Sequence, residues 1–134
     1  MHNRNRAILL PAALIFATII FWLPSFAEQS TFHNAPSSAT STKNPYTSAG
    51  AADAGSKAYA HNCAQCHGKN LQGMGPAPAL DTPQVRKAKP GELFWFITNG
   101  KPSSGMPAWA GLPSTQRWEI VTFLQSKLAQ TQGK

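Results

Sequence analysis

The chain has 134 residues, with 12 basic against 5 acidic side chains, a formal net charge of +7 and only two cysteines. Setting aside the first 27 residues leaves ten basic and five acidic residues, a net charge of +5. The basic residues are scattered and no nucleic-acid-binding motif accompanies them, which excludes nucleic acid as a partner, and no segment repeats.

The chain opens MHNRNR and runs on as AILLPAALIFATIIFWLPSFA over residues 7–27. A basic start, an apolar middle, and Ser25 and Ala27 at an A-x-A-like position predict a secretory signal at 1–27, cleaved before Glu28. The apolar run is long for a signal, so an uncleaved membrane anchor over 7–27 is the competing reading. Under both readings the remainder is exported. Residues 28–50 are rich in Ser, Thr, Ala and Pro without an apolar period, which predicts a flexible linker. Residues 51–134 then hold one small domain, of a size at which a bound group or staple often supplements the core.

Three helices are predicted. Asp53 is a candidate N-cap for a helix that runs into the cysteine pair. A second starts at Pro90, with Glu92 favouring its N-terminus and Asn99-Gly100 ending it. A third follows Pro113, capped by Ser114. Trp118, Val121, Leu124 and Leu128 give it one apolar face, with Ile120 beside them. No run alternates as a strand would, so the domain is all-α. The long loops GMGPAPALDTP and NGKPSSGMPAWAGLP are set by Gly and Pro, and each carries a methionine.

The only cysteines lie in CAQCHG, Cys63 to Gly68. Cys63 and Cys66 are one helical turn apart and can bond two vinyl groups of one haem, while His67 projects from the same side toward the iron. A thioredoxin-like dithiol would need a βαβ context, and a zinc site would need a second Cys/His cluster. A local disulfide leaves His67 unexplained. Covalent haem c, one per chain through Cys63 and Cys66, is the expected cofactor. For the sixth position, Met74 lies too close after His67 to reach the opposite face. His61 sits on the attachment helix and His33 in the linker. Met106, 39 residues beyond His67 on a separate loop, lets the chain wrap around the ring. Its alternative role is core packing. Phe94, Trp95, Phe96 and Trp109 are read as walls of the haem pocket. Arg117 points near the apolar arc, to pair with a haem propionate or to reach solvent.

Over residues 51–129 the sequence resembles the class I c-type cytochromes. The resemblance rests on AYAHNCAQCHG, GPAPAL, GELFWFITNG, GMPAWAGLP and QRWEIVTFLQS. It implies an all-α fold with loops wrapped around one haem, Cys63 and Cys66 as thioether residues, and His67 and Met106 as axial ligands. It also implies a proline carbonyl orienting His67, best matched by Pro78, with Pro76 as the alternative. Gly55 and Tyr59 resemble the positions where the first helix crosses the last, against Trp118. His/Met ligation without an open iron site suits electron transfer. The expectation is an exported, periplasmic mono-haem carrier, not an enzyme. Its partners would be redox proteins such as a quinoprotein dehydrogenase, an oxidase or another respiratory component, with membrane contact only if residues 7–27 remain. The rivals are a haem enzyme or gas- or peroxide-binding protein in which Met106 is displaced, and an anchored cytochrome subunit of a larger complex.

Overall fold

A computed structural model of the chain describes residues 35–131, and among them the regular elements are helices. They are α1 (Ser37–Ser41), α2 (Ala49–Asn62), α3 (Ala64–His67), α4 (Pro83–Lys87), α5 (Pro90–Asn99) and α6 (Ser114–Gln130), plus a 3-10 turn at Pro102–Ser104. The predicted signal or anchor and His33 lie outside the described residues.

Local chemistry explains the helix ends. The Ser48 hydroxyl accepts the Ala51 N–H at 3.2 Å, so α2 starts at Ala49. Asp53 is therefore not the cap expected of it. The alanines before it extend the helix by a turn, and a better-placed serine takes the role. Pro90 opens α5, the Glu92 carboxylate accepts the Lys89 N–H at 2.6 Å, and Gly100 (φ 66) ends the helix. At α6, Pro113 holds the cap position and Ser114 is the first helical residue, without a side-chain cap bond.

The dominant packing is α2 across α6. A methyl group added at Gly55 would lie 1.9 Å from the Glu119 carbonyl oxygen, so the two backbones touch there. Tyr59, one turn on, is buried and packs on Phe123 with ring centres 5.1 Å apart. Trp118, expected against Tyr59, stacks instead on Phe94 at 4.0 Å. Leu71, Val85, Leu93, Ile97, Ile120 and Val121 join them in one core.

Part of the expected linker is not free. Ala39 of α1 is buried, and a methyl group at Gly91 would lie 1.9 Å from its carbonyl oxygen, so α1 lies directly on α5. Asn44 Nδ2 donates to Trp118 O (3.2 Å) and Thr122 Oγ1 (2.8 Å), and its Oδ1 accepts the Tyr46 N–H at 2.8 Å. Residues 36–46 thus form a strap over α5 and α6. Small residues and one amide make these contacts, so no apolar period announces them. Likewise α4, capped by Thr82, is too short to show a period. Arg86 ties it to the end of α6 by donating to Leu128 O (2.6 Å) and Thr131 Oγ1 (2.8 Å), and it is ion-paired with Asp81.

Gly55→Ala gains about 1 kcal/mol of helix propensity. The forced separation of α2 and α6 costs more, roughly 1–3 kcal/mol or above. A net loss of stability is expected, read as a lower midpoint in urea unfolding followed by helical ellipticity.

Candidate haem-binding site

At Cys63 (φ −119, ψ −33) the chain leaves α2 and enters α3. The Cys66 and His67 N–H groups both donate to Cys63 O, at 3.1 and 2.9 Å, so the three side chains spring from one tight turn. Gly68 (φ 76) ends it. Its buried carbonyl accepts the Tyr59 hydroxyl at 2.8 Å and, more weakly, the Leu71 N–H at 3.3 Å. Tyr59 and Cys63 lie in low-dielectric surroundings. Burial, then the neighbouring Cys66, pushes the Cys63 thiol up to about 11. Burial, then Cys63, raises the Tyr59 phenol above its ordinary value.

The loop after His67 doubles back. Leu71 takes φ 65 while almost wholly buried, and its carbonyl accepts the Leu80 N–H at 2.8 Å. Gly73 donates to His67 O at 2.8 Å, and a methyl group there would meet Ala77 O at 2.7 Å. This path brings Pro78 O to 3.0 Å from His67 Nδ1. A carbonyl only accepts, so Nδ1 carries the proton and Nε2 the lone pair. Pro76, the alternative, is exposed within the turn closed by the Met74–Ala77 bridge.

Met106 stands on a second, separately braced loop. Lys101 and Met106 exchange two backbone bonds, at 2.9 and 3.2 Å, and the Trp109 N–H donates to Ile97 O at 3.0 Å. At Gly100 (φ 66) a methyl group would lie 2.5 Å from Pro107 O, so only glycine lets the loop fold back on the end of α5. His67, Met106 and Cys63 line one cavity of about 280 Å³, with Tyr59, Pro78 and Lys101 among its other lining residues and Leu80, Leu93, Phe96 and Ile97 forming apolar wall.

Cys66 is exposed and is not among the lining residues, nor is Met74, which is 54% exposed. His61 is exposed on α2. Of the four aromatics read as walls, only Phe96 lines the cavity. Phe94 stacks on Trp118, Trp95 meets Phe96 edge-on at 5.1 Å, and Trp109 packs on the core cluster. Their spacing cannot say which face of α5 the cavity occupies. Arg117 takes neither expected course. It is half-buried, with Nε donating to Leu112 O at 3.1 Å and Nη1 to Thr98 Oγ1. Among the described residues no three His, Cys, Asp or Glu side chains gather as a metal site. The Tyr59–Gly68 bond has no counterpart in the sequence reading, because a bond to a backbone carbonyl leaves no spacing signal.

An all-α domain in which a Cys-x-x-Cys-His turn and a loop methionine share an apolar cavity has the architecture of a c-type cytochrome. The family model described as "Cytochrome C oxidase, cbb3-type, subunit III" matches residues 50–124, more than half of the chain, and the chain belongs to that family. It is 38% identical over 71 residues to "Cytochrome c55X" of Pseudomonas aeruginosa, covering 51% of this chain and 58% of that one. It is 37% identical over 71 residues to "Cbb3-type cytochrome c oxidase subunit CcoP" of Azospirillum brasilense, covering 48% of this chain and 24% of that one. In each case the match spans less than two thirds of the relative's length. The donor set fits haem c: two thiols in one turn, an imidazole with its Nε2 lone pair free, a thioether and apolar walls.

Tyr59→Phe removes the hydroxyl that Gly68 O accepts. Because the Leu71 N–H still donates there, the cost is at the low end, about 1 kcal/mol. A thermal midpoint lowered by several degrees, with haem content unchanged, is the expected result.

Proposed function

We propose that this chain is an exported, single-haem c-type cytochrome that passes electrons one at a time between redox partners. The observation that carries the reading is His67, held through Nδ1 by Pro78 O at 3.0 Å, sharing a cavity with Cys63 and Met106. When bound, haem c supplies a one-electron Fe(II)/Fe(III) couple. Cys63 and Cys66 would hold it, each thiol adding across one vinyl group with sulfur to one carbon and the proton to the other, a chemistry that needs no external oxidant. Pro78 O fixes the His67 tautomer and makes the imidazole a better donor. Met106 would supply a soft sulfur ligand, which favours the reduced state and leaves substrate no place to bind. The apolar wall of Leu80, Leu93, Phe96 and Ile97 excludes water. In this reading Trp109 acts from behind, packing the Met106 loop onto the core, and the chain is a carrier and not itself an enzyme.

The periplasm is the proposed location, and respiratory redox proteins, an oxidase foremost, are the proposed partners. Likeness to an oxidase subunit named CcoP favours a second reading. In it the same domain delivers electrons within a larger complex, held at the membrane by residues 7–27.

Mass spectrometry of the denatured exported protein should show one haem on the chain, lost in the Cys63→Ala, Cys66→Ala double variant. A chain carrying no haem from a host able to attach it would end this reading. Met106→Ala should abolish the weak near-infrared sulfur-to-iron band and lower the potential with haem still attached, whereas Met74→Leu should leave both unchanged. To separate carrier from subunit, detergent-free fractionation should release the carrier, while a subunit should stay with an oxidase.

A further inference from the structure

The segment bearing Met106 has two limbs secured in different ways. The leading limb starts from the end of α5, where Gly100 donates to Phe96 O at 2.7 Å, and closes on itself where Lys101 and Met106 exchange their pair of bonds. The trailing limb, from Pro107 to Pro113, is mostly exposed and has only a short turn of its own, Leu112 N–H to Trp109 O at 3.0 Å. Trp109 and Leu112 pack on the core, Pro113 O accepts the Arg117 N–H at 3.1 Å where α6 begins, and two bonds hold the limb ahead of that point. One is Trp109 N–H to Ile97 O; the other is Arg117 Nε to Leu112 O, a side chain reaching back from α6.

Arg117 is an unusual choice for a half-buried position. Among the described residues no carboxylate pairs with it. Its charge is met by the Leu112 carbonyl, by Thr98 Oγ1, whose own proton goes to Phe94 O at 2.7 Å, and by the Phe94 ring face 4.8 Å from the guanidinium carbon. A planar fork is the side chain that can bridge loop, α5 and α6 at once. Hydrogen bonds to a charged donor are the stronger kind.

We infer that Arg117 is a positioning residue that latches the trailing limb of the Met106 loop to α5 and so sets how often the sulfur leaves the iron. The inference rests on the proposed His67/Met106 ligation. Leaving the iron requires the loop to swing away from α5. The Lys101–Met106 pair moves as a unit with Met106 about Gly100, so what must give way on the other side is the packing of Trp109 and Leu112 and the bonds Trp109–Ile97 and Arg117–Leu112. Of these two hydrogen bonds, Arg117 makes the one that depends on a side chain.

The test uses the full haem-bearing protein in its ferric form. Arg117→Met keeps an apolar stem and removes every donor; Arg117→Lys restores the charge on a single donor group; Thr98→Val removes one acceptor of Arg117 together with the hydroxyl's own bond to Phe94 O. At saturating cyanide the binding rate is limited by departure of the sulfur. Arg117→Met should raise that rate about tenfold or more, as expected for losing bonds to a charged group. Thr98→Val should give a smaller rise and Arg117→Lys a partial return. Neutral imidazole as incoming ligand should give the same ranking, because the effect lies in opening and not in anion attraction. Amide exchange should quicken at Trp109 and Leu112 and stay unchanged at Val121 and Leu124 in α6. Unaltered ligand-binding rates, or rates that rise only with matching exchange in α6, would overturn the inference while leaving the ligand assignment intact. In Met106→Ala, adding Arg117→Met should change nothing, and a further rise there would also overturn it. Persistence of the near-infrared band in Met106→Ala would overturn the ligand assignment itself, and this inference with it.

Discussion

Backbone contact between α2 and α6 at Gly55 and Glu119 is the constraint from which the rest of the arrangement follows. With no side chain between them, the helices cross closely enough for Tyr59 and Phe123 to pack one turn beyond. That crossing sets where α2 ends, and the end of α2 is where the Cys63–His67 turn begins. Ile120 and Leu124 of α6 form part of the cavity that His67 lines. One contact therefore fixes both the attachment turn and the floor beneath it. A larger residue at Gly55 acts on the site through geometry, although it touches no donor atom.

Neither loop that completes the cavity owes its shape to regular structure. The first is steered by four residues with positive φ, Gly68, Leu71, Gly73 and Gly75, with the Leu71 side chain buried. A leucine in that conformation costs on the order of 1–3 kcal/mol of backbone energy. Burying its side chain returns about 1.5–3 kcal/mol. The two effects are comparable, so the strained turn is held by the core beneath it. The second loop is held by backbone pairing at its start and by Trp109 and Arg117 at its end. Both loops rely on helices that are already in place.

Legibility in the sequence followed the kind of signal. CAQCHG could be read from spacing because two thiols a turn apart and a following histidine form a pattern tied to the family the chain belongs to. The α5 and α6 helices could be read from Pro90, Glu92, Gly100 and the period of Trp118, Val121, Leu124 and Leu128. The strap could not, since Ala39 against Gly91 and the Asn44 amide against Trp118 O are contacts without composition or period. Aromatic character suits Trp109 and Phe94 to a cavity wall, yet which face they take depends on the packing of helices and loop, which sets Phe94 on Trp118 and Trp109 on the core. Arg117 has two destinations by helical phase, and it takes a third, the loop carbonyl of Leu112 at 3.1 Å.

The bond that orients His67 comes from a peptide carbonyl and not from the side chain of Pro78. Replacing one residue by another deletes side-chain atoms and leaves the carbonyl in place, so no exchange at position 78 removes the acceptor directly. What inheritance can damage is the route of the chain that delivers it. That vulnerability is shifted to Gly68, Gly73 and Leu71, none of which contributes the accepting atom. The orientation of the ring is thus encoded by the course of a loop, and mutational sensitivity and chemical participation fall on different residues.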